Sequence, residues 1–115
     1  MNEIIELHET PELQKIADTM EALGNETRLS VFTLLVPAGR KGLLVGEIQS
    51  RLKVPASTLS HHLAHLSWAG LIEQNREGRN LRCRARHDVM HALVGFLTDE
   101  CCIGFTDNRT DESAA

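Results

Sequence analysis

The spacing of apolar residues changes along this 115-residue chain from helical to alternating, and the change limits the folds it can adopt. Up to Gly70, apolar side chains recur every three or four residues, as in amphipathic helices. Over residues 80–86 they alternate with arginines, as in a strand buried on one face. The apolar members of that stretch are Leu81, Cys83 and Ala85. We therefore expect a mainly helical chain with one small β-hairpin.

Capping residues place the first two helices. Thr10 followed by Pro11 predicts a helix start, and Gly24 predicts its end. Asn25 can cap a second helix, which the proline- and glycine-containing segment 37–42 ends. The predicted apolar faces are Leu13, Ile16, Ala17, Met20 and Leu23 on the first helix, and Leu29, Phe32, Leu35 and Val36 on the second.

Two short helices follow, separated by a break of a few residues. The third helix carries Val45, Ile48 and Leu52 and ends before Pro55. Ser57 is the predicted cap of the fourth helix, which Gly70 closes. Its inward residues are Leu59, Leu63 and Leu66. Two such helices, the second with polar side chains facing outward, are typical of a helix-turn-helix.

The hairpin and a fifth helix complete the predicted fold. Residues 71–75 are the expected partner of strand 80–86, joined through residues 76–79. Asp88 is the expected cap of the last helix, whose apolar face is Val89, Ala92, Leu93, Phe96 and Leu97. This order predicts a winged helix-turn-helix domain over residues 11–103. An N-terminal extension, 1–10, and a flexible acidic tail, 104–115, flank it.

The net charge of −4 is unevenly distributed. Residues 1–26 carry −6, residues 27–98 carry +6, and residues 99–115 carry −4. The middle segment is therefore basic enough to bind nucleic acid. With one Trp, three Phe and no Tyr, the chain lacks the aromatic surface that stacks single-stranded bases, so double-stranded DNA is the expected partner.

The candidate DNA-binding residues lie on the fourth helix and the hairpin. They are Ser57, Thr58, Ser60, His61, His62 and His65, together with Arg76, Arg79 and Arg82. Hydroxyls, imidazoles and guanidiniums reach phosphates and base edges. Arginines can also merely protect an edge strand from aggregation, but acids would serve as well and Glu77 is the only one over residues 76–86. His61 and His65 have the spacing of a metal pair, yet no third ligand is near.

Three runs carry a family resemblance: LGNETRLSVFTLL, VPASTLSHHLAHLSWAGLI and REGRNLRCR. In this order and spacing, over residues 13–97, they resemble the ArsR/SmtB family of bacterial repressors. The resemblance implies a homodimer, packed through the first and last helices, that represses its own operon and loses operator affinity when an effector binds. A two-fold dimer would place its recognition helices about 34 Å apart.

Two sensor sites of that family are missing here. Relatives that sense inorganic arsenic resemble ELCVCDL on the third helix, where this chain has GLLVGEI, with Leu44 and Gly46 at the cysteine positions. Zinc-sensing relatives carry Asp-x-His on the last helix, followed by His-x-x-Glu or His-x-x-His. Here Asp88 and His91 are one residue too far apart, and no second histidine follows.

The adjacent cysteines Cys101 and Cys102 remain as effector ligands. Adjacent thiolates can converge on a soft, thiophilic centre. Some arsenic-sensing relatives carry such a pair followed by a third cysteine, which residues 104–115 lack. Two thiolates suit a trivalent organoarsenical better than arsenite, which would prefer three. Cys83 is a possible third ligand or a small buried residue, and we expect no resident cofactor.

Other functions compete with this interpretation. The cysteine pair could instead sense thiol oxidation or reactive sulfur, or the protein could bind DNA without an effector. We expect no enzyme activity, since phosphate-loop, metalloprotease and paired-carboxylate motifs are missing from the sequence. Three cysteines make no disulfide framework, and neither a signal peptide nor a membrane span is evident, so the expected location is the cytoplasm, away from membranes.

Overall fold

The computed structural model describes residues 11–100, with the expected helix start at Thr10, the extension 1–10, the tail 104–115, and Cys101 and Cys102 lying outside them. Its helices are α1 (Pro11–Leu23), α2 (Glu26–Ala38), α3 (Val45–Leu52), α4 (Ala56–Trp68) and α5 (His87–Gly95). Its strands are β1 (Leu43–Leu44), β2 (Ile72–Glu77) and β3 (Asn80–Ala85). A 3₁₀ turn, Gly39–Lys41, follows α2, and a π-helical turn, Phe96–Glu100, follows α5. The predicted winged helix-turn-helix fold is confirmed.

The core lies where α2, α3 and α4 meet the sheet. It is formed by fully or almost fully buried apolar side chains: Val31, Phe32, Leu35, Ile48, Leu59, Leu63, Leu66, Leu71, Ile72, Cys83 and Ala85. Because α4 supplies three of these leucines at helical spacing, its orientation is fixed by burial of one face. The opposite face of α4 is left on the surface.

The junction of α1 and α2 corrects one predicted face. Asn25 caps α2 as predicted, with its Oδ1 accepting from the Arg28 backbone N–H at 3.0 Å. Leu29, however, is 45% exposed, and Arg28 is buried instead. The Arg28 Nε donates to the Ala22 carbonyl at 2.6 Å, which satisfies a C-terminal carbonyl of α1 and draws the guanidinium inward.

The sheet has three strands, in the order β1-β3-β2, rather than the predicted two. β1 pairs antiparallel with β3, Leu43 opposite Cys83. A two-residue strand is too short to show alternation, so the sequence pattern could not indicate it. Gly42 precedes it with φ +60°, and a Cβ there would collide with the Cys83 carbonyl oxygen. Only glycine fits this approach without strain.

The hairpin turn is shorter than predicted. Glu77 pairs with Asn80, so β2 extends through residue 77 and the turn consists of Gly78 and Arg79 alone. Gly78 has φ +63°, at the first turn position, where a type II′ turn places glycine. Strand pairing therefore continues through residues that resembled a polar loop.

Two predicted helix caps are each wrong by two positions. α4 begins at Ala56 with Pro55 as its N-cap residue, so Ser57 lies inside the first turn. α5 begins at His87 with Arg86 as its N-cap residue, so Asp88 also lies inside the first turn. There the Asp88 carboxylate pairs with Arg86 at 3.0 Å. Among residues 11–100, no helix is long and apolar enough to cross a membrane.

Candidate nucleic-acid interface

A three-residue turn sets the angle between α3 and α4. Lys53 adopts a left-handed conformation, φ 57°, and its backbone N–H bonds to the Gln49 carbonyl, which closes α3. Pro55 then holds extended backbone at φ −61° and ψ 148° before α4 begins. Residues 53–55 thus join two helices of a helix-turn-helix, with α4 in the position of the recognition helix.

The N-terminal half of α4 presents polar side chains to solvent. Ser57, Thr58, Ser60 and His61 are all exposed, as predicted for residues that read DNA. Pro55 has no side-chain acceptor, so no cap side chain bonds the first backbone N–H groups of α4. These N–H groups and the positive end of the helix dipole favour an anion such as a phosphate.

Two arginines of the hairpin face the same groove as Ser60. The groove lies between α4 and the hairpin, has a volume of about 410 Å³, and is lined by residues that include Ser60, Gln74, Arg76 and Arg79. Arg76 and Arg79 are exposed, and neither shows a hydrogen bond or ion pair with a residue of the range 11–100. Their guanidiniums are therefore free to contact a ligand, and their predicted contact with DNA stays a prediction.

The other hairpin arginines contact the protein itself. Arg82, a predicted DNA-binding residue, donates from Nε to the Glu77 carboxylate at 2.8 Å and from Nη1 to the Lys41 carbonyl at 2.9 Å. The hydrogen bond from Arg82 to the Glu77 carboxylate lowers the pKa of Glu77. Arg84 donates to the Arg40 carbonyl, and Arg86 pairs with Asp88. Arg82 thus links the hairpin to the turn that precedes β1 through hydrogen bonds.

Two of the predicted histidines contact helices of the protein. His62 is partly buried, and its Nδ1 lies 3.4 Å from the Nη1 of Arg28. Burial, and then the charge of Arg28, lower the pKa of His62. The Nε2 of His65 lies 3.0 Å from Glu21 Oε1. The sequence could not indicate these contacts, because the partners are 34 and 44 residues away along the chain.

The histidines of α4 and Cys83 of β3, which could bind a metal, lie on separate elements of the described structure. No group of three histidine, cysteine or carboxylate residues within the described part of the chain converges as a metal site would require. Cys83 is fully buried, and its Sγ accepts a contact from Gln74 Nε2 at 3.6 Å. Burial raises the pKa of the Cys83 thiol. The predicted effector ligands Cys101 and Cys102 lie outside the described residues.

The fold and this surface define a class: a winged helix-turn-helix regulator that binds DNA. The comparison with known families agrees, since a family model for a helix-turn-helix domain matches residues 23–75. The transcriptional activator HlyU of Vibrio cholerae is 37% identical over 78 residues, which cover 68% of this chain and 69% of HlyU.

Solved structures give the family. An ArsR-like transcriptional regulator from Rhodococcus sp. RHA1 aligns with a TM-score of 0.66 at 28% identity, over 86% of this chain and 89% of that one. The homodimeric winged helix-turn-helix DNA-binding domain of Mb0332 from Mycobacterium bovis, a possible ArsR-family regulator, aligns with a TM-score of 0.61 at 33% identity, over 76% of this chain and 82% of that one. The chain belongs to the ArsR family of transcriptional regulators, which are DNA-binding proteins rather than enzymes.

Proposed function

We propose that this protein represses transcription by binding operator DNA as a homodimer, and that it releases the DNA when Cys101 and Cys102 bind a soft thiophilic effector. The observation that carries the DNA-binding part is the groove in which Ser60 of α4 and the unpaired arginines Arg76 and Arg79 face one another. Polar α4 side chains then read base edges while the two arginines hold the phosphate backbone.

The charge of the domain supports a duplex partner. Residues 27–98, which contain both α4 and the hairpin, carry a net charge of +6, in a chain whose total is −4. In this arrangement α4 enters the major groove and the hairpin follows the adjacent backbone. Ser57, Thr58, Ser60 and His61 are the α4 residues best placed for base or phosphate contact, because they are exposed.

Exposed apolar residues outside this interface support a dimer. Met20 of α1 is 47% exposed and Val94 of α5 is 51% exposed. Both helices carry the apolar faces predicted to pair two chains. The M. bovis relative is a homodimer. Two copies related by a two-fold axis present two recognition helices to successive turns of one duplex face.

The effector part of the proposal follows from thiol chemistry. Cys83 is fully buried and burial raises its pKa, so its thiolate is a poor candidate for a third ligand. Cys101 and Cys102 then offer two thiolates, which match a trivalent arsenical bearing one organic group. Arsenite, with three exchangeable positions, is matched less well. The organoarsenical is therefore the favoured effector.

A fluorescence anisotropy titration tests the proposal. A labelled duplex from the protein's own upstream region is titrated with protein, and phenylarsenous acid, arsenite, Zn²⁺ or peroxide is then added. We expect tight binding to this duplex, weak binding to a scrambled one, and release by phenylarsenous acid at lower concentration than by arsenite. A reporter gene under the same upstream region gives the sign of regulation, expected to be repression.

Cysteine variants separate the alternatives. Cys101→Ser and Cys102→Ser are expected to abolish release, whereas Cys83→Ser keeps it. Release by arsenite alone contradicts the organoarsenical assignment. Release by peroxide with a Cys101–Cys102 disulfide in the mass spectrum makes the protein a thiol-redox sensor. Insensitivity to every reagent makes it an effector-independent DNA-binding protein.

A further inference from the structure

A polar cluster joins α4 to the end of α1 and the start of α2. It consists of Glu21, Arg28, His62 and His65, which we call the α1–α4 clasp. Glu21 uses both carboxylate oxygens: Oε1 lies 3.0 Å from His65 Nε2, and Oε2 lies 3.8 Å from Arg28 Nη2. Arg28 Nη1 in turn lies 3.4 Å from His62 Nδ1. Two histidines of α4 are thus held by one acid and one arginine of the preceding helices.

The burial of Arg28 gives the clasp a fixed geometry. The residue is 8% exposed, and its Nε donates to the Ala22 carbonyl at 2.6 Å. A buried guanidinium needs partners for its remaining N–H groups and its charge. His62 lies within hydrogen-bond distance, and Glu21 forms an ion pair with it. Arginine only donates, so His62 Nδ1 must be the acceptor, and the His62 ring is neutral with its proton on Nε2. The lowered pKa of His62 agrees with a neutral ring.

We propose that Glu21 and Arg28 are positioning residues for DNA recognition: through His65 and His62 they fix the seating of α4 against α1 and α2. The proposal rests on the proposed function of α4 in reading DNA. The core leucines bury one side of α4 but have no directional bonds. The clasp adds hydrogen bonds at the middle and C-terminal part of α4, beyond the exposed residues Ser57, Thr58, Ser60 and His61. Loss of the clasp therefore lowers DNA affinity without removing a DNA contact.

The charge of Glu21 allows a test of the proposal. Electrostatic repulsion alone and loss of the clasp predict changes of opposite sign in DNA affinity when that charge is removed. Asp18 lies one turn earlier on α1, is exposed, and has no hydrogen bond or ion pair to α4 among the described residues. Asp18→Asn and Glu21→Gln each remove one negative charge. Electrostatics alone makes both variants bind DNA slightly more tightly. Under the clasp proposal, Glu21→Gln binds DNA less tightly, by about fivefold, because the contact between Glu21 and His65 is weakened.

A double-mutant cycle shows whether Glu21 acts through His65. Affinity for the upstream duplex is measured for wild type, Glu21→Gln, His65→Ala and the double variant, with the unfolding midpoint of each recorded by circular dichroism. We expect the double variant to bind about as well as His65→Ala alone, because the pair is already broken. Additive losses, or equal tightening by Glu21→Gln and Asp18→Asn, overturn the proposal.

The histidine tautomer gives a readout in the wild-type protein itself. Long-range ¹H–¹⁵N NMR spectra of the wild-type imidazoles at neutral pH are expected to show His62 protonated at Nε2 and bare at Nδ1. Arg28→Lys is expected to change this signature and to weaken DNA binding. A proton on Nδ1 of His62 in the wild type contradicts the clasp. Failure of wild type to bind any duplex defeats the proposed function instead, and so the two failures are distinguishable.

Discussion

At the residue scale, similar side chains have different roles because their surroundings differ. His61 and His62 are neighbours on α4, with ring centroids 6.0 Å apart. His61 is exposed, whereas His62 is partly buried against Arg28. Arg79 faces the groove and Arg82 is held by Glu77. A count of histidines or arginines therefore overstates the number available to DNA.

Acidification should destabilise the protein through His62. Its folded-state pKa is lowered from the ordinary 6.5, by burial first and then by Arg28. As pH falls through that range, the unfolded chain takes up the proton before the folded one, so the free energy of unfolding decreases. Chemical denaturation between about pH 7.5 and pH 5 should show a shallower decrease for His62→Gln than for wild type.

The exposed neighbour provides the control for this titration. His61→Gln removes the neighbouring exposed imidazole, whose charge is a smaller cause of the lowered His62 pKa than burial and Arg28, so most of the wild-type pH dependence should remain. The same pH dependence in His62→Gln and wild type would show that His62 does not contribute.

At the scale of elements, the pairing of β1 with β3 depends on the glycine that precedes β1. Gly42 combines φ +60° with a backbone approach to Cys83 that leaves no room for a Cβ. Gly42→Ala should lower the free energy of unfolding by about 1–3 kcal/mol, measured by urea denaturation. Gly46, exposed in α3 with open space around it, is the matched control. Gly46→Ala should instead stabilise by up to about 1 kcal/mol. Destabilisation of equal size in both variants would contradict this assignment.

Sequence patterns predicted most helices and strands correctly but did not predict where each of them begins and ends. The helical spacing in α2–α4 and the alternation at 80–86 depend on local burial, and each predicted element is present. Ser57 and Asp88 were misplaced because good capping residues also suit the first helical turn. β1 was missed because its pairing with β3 depends on residues 40 positions away.

The candidate site was predictable in composition but not in its internal contacts. The polar residues of α4 and the hairpin arginines were identifiable because DNA recognition requires those side-chain types on those elements. The interactions of His62, His65 and Arg82 with Arg28, Glu21 and the Lys41 carbonyl depend on tertiary packing. No local pattern reports such long-range partners.

At the scale of the whole molecule, the exposed apolar residues of α1 and α5 should pair two chains. Met20→Glu combined with Val94→Glu should shift the protein from dimer to monomer, because each charge would be buried at the interface. Analytical ultracentrifugation gives the mass. Trp68 of α4, 92% exposed, lies off both helices and is the control. Trp68→Glu should stay dimeric, and a wild type that is monomeric at micromolar concentration would contradict the dimer.

The central claim is that the groove between α4 and the hairpin binds duplex DNA through Arg76 and Arg79. The most direct test is the salt dependence of affinity for the upstream duplex, in wild type and in the Arg76→Ala, Arg79→Ala double variant. The wild type should lose affinity steeply as salt rises, and the double variant should bind more weakly, with its log–log slope reduced by about 2 per chain. Arg86→Ala, which removes an arginine already paired with Asp88, should change the slope less. An unchanged slope in the double variant would contradict the claim.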